Sequence, residues 1–218
     1  MKVKSWVMML VLIVANYYFA DMCLASPQNL SAIQGTEQVV YVYNVQGSKG
    51  LLELWERNEH GQWIQKGSNT SVIVGYNGAI AAEYKREGDG HTPKGTYTLG
   101  MAFGYEPLAG VQMPYKVLTE QDFWVDEPQS PAYNTLVSGR PQSGSYEVMR
   151  KADGQYSLGV VVEYNMRPVV PYKGSAIFLH VWRSPNAVTE GCIAMDTEQL
   201  RRLLLWLVPT KKPIIIIE

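Results

Sequence analysis

Cysteine is nearly missing from this chain: there are two in 218 residues, Cys23 and Cys192. Cys23 lies in an N-terminal segment that reads as an export signal, so the remainder holds one thiol. A lone thiol has no internal partner, which excludes a disulfide framework. An excess of positive charge is also lacking. The formal net charge is −1, and about −2 once Lys2, Lys4 and Asp21 leave with the signal. That near balance excludes an electrostatic nucleic-acid binder and a polybasic membrane partner. Beyond the N-terminus there is no apolar run long enough to span a bilayer, because Leu203–Val208 and Ile214–Ile217 are far too short. Neither repeats nor low-complexity linkers divide the chain.

The first residues carry Lys2 and Lys4, the apolar run Trp6–Ala15, then Cys23-Leu24-Ala25 ahead of Ser26-Pro27. A basic start, an apolar stretch and a small residue before a break are the marks of a cleaved secretory signal. Cleavage is expected after Ala25, with Ala20 as the second choice, leaving residues 26–218 as one domain. A lipoprotein signal is disfavoured by Asp21 and Met22, which stand before Cys23 where small residues are required. Trp6–Leu24 is long enough for an uncleaved anchor, at the cost of Asp21 within the span. Export places Cys192 in an oxidising compartment, periplasmic or secreted, with no membrane association after cleavage.

Nineteen glycines and twelve prolines point to short strands and tight turns. Val39–Val45 alternates and is β-branched, a strand pattern. Leu51–Arg57 and Trp63–Gln65 flank Asn58-Glu59-His60-Gly61, a hairpin turn with His60 as a solvated residue. Ser71–Val74 continues the sheet and breaks at Gly75-Tyr76-Asn77-Gly78. Gly88-Asp89-Gly90-His91-Thr92-Pro93-Lys94-Gly95 is a dense turn cluster before the strand-like Thr96–Leu99. Its glycines permit either a purely structural loop or a close backbone approach to a ligand. Gly100–Ser157 is long and poor in clear elements, and its aromatic content suggests an ordered insertion covering a cleft.

The C-terminal pattern is sharper. Leu158–Tyr164 and Ala176–Val181 read as strands, the second with Phe178 and His180 on one face and Ile177, Leu179 and Val181 on the other. Cys192–Met195 is a short extended piece. Asp196 is an N-cap, with Gln199 at the capping-box position. Leu200, Leu203, Leu204 and Leu207 form one face of a helix that Pro209 stops, and Ile214–Ile217 is a last strand. The fold class is mainly β with few helices, as two packed sheets or a partly closed barrel.

Cys192 and His180 are the candidate chemistry. An adjacent imidazole can bring a thiol from roughly 8.5 down to about 3.5–7.5. The thiolate then attacks a carbonyl and the imidazolium protonates the leaving amine. Gly191 allows a tight turn that leaves room for backbone N–H groups to face an oxyanion. The bland alternative is a packing cysteine and a satisfied strand-end histidine.

Gly174-Ser175-Ala176-Ile177-Phe178-Leu179-His180 followed by Thr189-Glu190-Gly191-Cys192 resembles the catalytic motif of the YkuD-type L,D-transpeptidases. Gly75–Gly78 and Asp89–Gly95 resemble that family's glycine turn and its Asp-Gly-x-Thr-Pro-x-Gly loop, so the likeness covers roughly Val39 to Ile217. The resemblance implies a β-sandwich or partly closed barrel in the bacterial envelope, acting on peptidoglycan stem peptides without metal or organic cofactor. It implies Cys192 as nucleophile and His180 as base and acid. It further implies the Val181 carbonyl as the group orienting the imidazole, and Thr189 as a hydrogen-bonding residue of the site. Departures from the family pattern are Glu190 where many members have His, Ala194 where many have Arg or Asn, and a short His-to-Cys loop. They spare the nucleophile and base and bear on the substrate. Glu190 also sets a negative charge near the thiol. Water as acceptor, a non-catalytic peptidoglycan-binding protein and a redox-sensing thiol stay open.

Overall fold

The computed structural model describes residues 30–142 and 144–218. The expected signal peptide, residues 1–25, lies outside them. The chain opens with β1 (Gln38–Gln46), β2 (Lys49–Arg57) and β3 (Trp63–Ile73), followed by β4 (Ala79–Ala81) and the long β5 (Thr92–Gly104). Next come β6 (Tyr115–Val117), β7 (Asp122–Val125), β8 (Thr135–Ser138) and β9 (Tyr146–Val148). The C-terminal part holds β10 (Leu158–Val162), β11 (Phe178–Val181), β12 (Ile193–Met195), helix α1 (Thr197–Trp206) and β13 (Ile214–Ile217).

The main sheet runs β10-β11-β12-β3-β2-β1-β13-β5, and β5 pairs back onto β10, so eight strands close into a barrel. Closure removes the sheet edges that would otherwise be open to pairing with other chains. The buried strands alternate between two surroundings. Val160, Val162, Ile177, Leu179, Val181, Ile193 and Met195 enter the principal core. Val161, Phe178 and Cys192 face the opposite way, into a second apolar cluster. The faces expected for Ala176–Val181 are the faces observed.

Helix α1 seals the principal core. The Asp196 carboxylate accepts from the N–H groups of Glu198 and Gln199, satisfying donors that the first turn leaves free. Leu200, Leu203, Leu204 and Leu207 are buried in the core, each contributing about 1.5–3 kcal/mol of burial. The helix ends at Trp206, and Leu207, two residues before Pro209, is already extended.

Gly100–Ser157 is richer in structure than its sequence suggests. β5 continues through Gly100 to Gly104, and β8-β7-β9 form a separate antiparallel sheet. Leu118, Trp124, Met149 and Tyr156 from this insertion pack in the second cluster with Phe103, Phe178 and Cys192. Trp124 and Tyr156 meet the Phe178 ring edge-on at 4.9 and 5.4 Å. The insertion therefore covers the wall of the barrel that carries the thiol.

Candidate functional site

Three separate loops are tied together behind Cys192. Gly75–Gly78 is a tight turn closed by Gly78 N–H donating to the Gly75 carbonyl at 2.7 Å. Tyr76 N–H donates to the Thr189 carbonyl (2.8 Å), and Asn77 N–H to the Gly90 carbonyl (3.1 Å). The buried Thr92 hydroxyl accepts from Gly75 N–H (2.9 Å) and donates to the Gly191 carbonyl (2.8 Å). Asp89 braces the middle loop by accepting from Lys85 Nζ (2.8 Å) and from the N–H groups of Arg86 and His91 (2.6 and 2.9 Å). Burial pushes this carboxyl upward, but those three donors outweigh it and hold the pKa below the usual range.

The contact is backbone on backbone. A Cβ on Gly75 would stand 2.2 Å from the Gly90 carbonyl oxygen, and one on Gly191 would stand 2.9 Å from that of His91. Gly75→Ala is thus expected to destabilise the fold by about 1–3 kcal/mol or more. Gly47→Ala, at φ +58 with open space around it, should cost about 1 kcal/mol. Denaturant midpoints for the two variants check this, and equal losses would mean that loop contact is not what Gly75 serves.

The Asp89–Gly95 loop approaches other backbone, so it acts first as a structural brace. His91 is half-buried behind Gly191, and its Nδ1 has no hydrogen-bond partner among the described residues. His60 is exposed on its hairpin turn, as expected.

Cys192 is buried, with 7 % of the residue exposed. Its S–H donates to the Ala176 carbonyl at 3.1 Å, and Phe178 N–H donates to the sulfur at 3.4 Å. Ala176 is held at φ +52, a region an alanine enters only at a cost. Its N–H donates to Asn134 Oδ1 (3.0 Å), which also accepts from Trp124 Nε1 (3.0 Å). Asn134 in turn donates to the carbonyls of Tyr164 and Asn165. Asn134 thus anchors the carbonyl-bearing residue that holds the thiol hydrogen.

β11 and β12 run parallel with His180 opposite Ala194. Side chains alternate, so His180 and Phe178 share the face that Cys192 occupies two residues before Ala194. The Tyr156 ring touches both Phe178 and His180, the latter edge-on at 5.2 Å. His180 Nδ1 lies 2.8 Å from the Val181 carbonyl. A carbonyl only accepts, so Nδ1 carries the proton and Nε2 presents a lone pair.

An imidazole neighbour leads one to expect a lowered thiol pKa, but burial works the other way here. Burial, aided by the Glu147 carboxylate, pushes the Cys192 thiol up to about 12, against the Phe178 N–H and the Lys151 and Lys85 charges. Burial pushes His180 down to about 4. Near neutral pH both groups are uncharged.

A cleft of about 310 Å³ opens at Cys192, lined by Gly191 and Glu190 on its own loop. Lys85, Glu87, Ser175 and Ala176 also line it, as do Asp126, Ser145 and Glu147 from the insertion. Lys85 is only 2 % exposed and paired with Asp89. Glu87 accepts from the hydroxyls of Ser175 (2.8 Å) and Tyr133. Thr189 does not line the cleft: its hydroxyl donates to the Cys192 carbonyl (2.6 Å) and accepts from Gly191 N–H (3.3 Å). That last bond turns the Gly191 N–H into its own loop. Sequence reasoning brought together Cys192, His180, Val181, Gly191 and Glu190, but missed Glu147, Asp126, Lys85 and Asn134.

Fold and cleft together define a closed β-barrel domain with a buried thiol lining its cleft. The family model for the L,D-transpeptidase catalytic domain, YkuD, matches residues 39–216, from β1 to β13, and the chain belongs to that family. No curated protein and no solved structure matches the chain.

Proposed function

We propose that this protein is a cysteine acyltransferase that acts on peptidoglycan stem peptides as an L,D-transpeptidase, after export to the periplasm or cell exterior. One observation carries the proposal: in a domain of this family, the lone thiol of the described residues shares one barrel face with His180 and opens to the cleft. In the first half-reaction the Cys192 sulfur bonds to the carbonyl carbon of the third stem residue. The thiol proton passes to His180 Nε2 and on to the nitrogen of the departing D-alanine as the C–N bond breaks. In the second, an amine of another stem peptide attacks the thioester carbonyl. Its proton returns through His180 to the sulfur as the C–S bond breaks, leaving an amide cross-link.

Because thiol and imidazole both rest uncharged, proton transfer accompanies attack, with His180 as general base. The sulfur first turns its hydrogen away from the Ala176 carbonyl. The Val181 carbonyl serves as the orienting group, fixing the tautomer that leaves Nε2 free. Thr189 and Gly191 shape the thiol loop, and Glu190 faces the substrate.

The test is mass spectrometry of disaccharide-tetrapeptide incubated with the protein, with Cys192→Ala as control. Cysteine-dependent dimers are expected. Cysteine-dependent tripeptide without dimers would make water the acceptor and the protein a carboxypeptidase. No change in either sample would sink the proposal for this donor.

A further inference from the structure

The insertion contributes a charged group that the family motif does not contain. Glu147, on β9, lines the cleft beside Cys192. It accepts a hydrogen bond from the Tyr156 hydroxyl and an ion pair from Lys151 Nζ at 2.8 Å. The Lys151 ammonium also stands 4.5 Å from the centre of the Tyr156 ring, within cation–π range. That ring packs edge-on against His180 at 5.2 Å. One short segment of the insertion thus links the cleft, the imidazole and the wall behind the thiol.

We propose that Glu147, clamped by Lys151 and Tyr156, is a positioning residue that biases the Cys192 thiol further toward its neutral form and fixes the ring against which His180 packs. The proposal rests on Cys192 being the nucleophile. The charged and titratable groups around the thiol come from several elements. Lys85 and Glu87 precede β5, Asp126 follows β7, and Glu190 lies on the thiol's own loop. Lys151 and Asp153 follow β9, and Tyr156 precedes β10. Lys85 is already matched by Asp89, and Glu87 is engaged by two hydroxyls. Glu147 is the carboxylate bonded to the ring that packs on His180. It is also the carboxylate whose field acts most on the thiol, with Lys151 acting oppositely. A negative charge beside a thiol favours the neutral form and a positive one favours the thiolate.

Opposite charges give the test its sign. In the full-length protein, iodoacetamide labelling of the Cys192-containing peptide is followed by mass spectrometry across pH for wild type, Glu147→Gln and Lys151→Met. Gln keeps an acceptor for the Tyr156 hydroxyl, and Met keeps most of the Lys151 stem. Below the thiol midpoint the rate rises tenfold per pH unit, so a shift appears as a parallel displacement of the line. Glu147→Gln should label about three- to tenfold faster at a given pH, and Lys151→Met slower by a similar factor. Looser packing would speed both variants alike, so displacement in the same direction, or none, overturns the proposal. Labelling needs no substrate, so the result stands apart from whether stem peptides are the donors.

Discussion

Replacing Cys192 by alanine is expected to abolish both tripeptide release and dimer formation from a tetrapeptide donor while leaving the barrel folded. Without sulfur there is no thioester, and His180 is left as a base with no protein nucleophile to activate. Removing the nucleophile of a covalent mechanism costs about 10⁴-fold or more in turnover. Stability should change little by comparison. The sulfur is a small member of an apolar cluster that Phe103, Trp124, Tyr156 and Phe178 dominate, so its loss should cost about 1 kcal/mol. Thermal unfolding beside the mass-spectrometric assay separates the two effects. Turnover at the wild-type level would remove Cys192 from the mechanism, whereas an unfolded variant would call for Cys192→Ser, which keeps a donor to the Ala176 carbonyl.

The parts of this site that were legible in the sequence are those set by local pattern. Alternation along Ala176–Val181 assigns Phe178 and His180 to one face, and the structure divides that strand between its two clusters in the same way. Asp196 and the leucine spacing mark helix α1 because capping and the 3.6-residue period are local rules. Glycine clusters at 75–78 and 88–91 are visible as turns, though Thr92–Gly95, expected to belong to the second, already runs in β5, and what the turns press against is not visible. Gly75 matters because a carbonyl fifteen residues on presses against it.

Long-range effects hid the rest. Asn134 reaches Ala176 across 42 residues, and nothing near it in the sequence announces a partner. Glu147 looks like an ordinary charge until β9 pairs with β7 and brings it over the cleft. The length of β5 was hidden for a similar reason. Its glycines read as breaks, but β13, β10, β4 and β6 all pair along it and override the local preference. The direction of the Cys192 shift was likewise out of reach. Motif spacing reveals the imidazole but not the aromatic cover, and here desolvation is the larger influence.

His180→Gln should lower kcat/KM by about 10²–10⁴-fold, the usual contribution of a positioned base. The wild-type pH profile carries a sharper signature. The base works as neutral imidazole, so kcat/KM should fall with acid near pH 4, where the buried ring charges, and not near the 6.5 of a solvated histidine. The same group leaves a mark on stability. Its pKa in the folded state lies below that in the unfolded chain, so between about pH 4 and 6.5 the unfolded state binds more protons. Wild-type stability should therefore fall as pH drops through that window, by roughly 3 kcal/mol from this residue. His180→Gln lacks that contribution, and comparing denaturant midpoints of the two proteins at pH 7 and pH 4 isolates it. An acid limb near 6.5 together with parallel stability curves would mean that the imidazole is solvated in solution. Attack would then be general-base catalysed by a solvated ring, not by one that burial keeps neutral down to about pH 4.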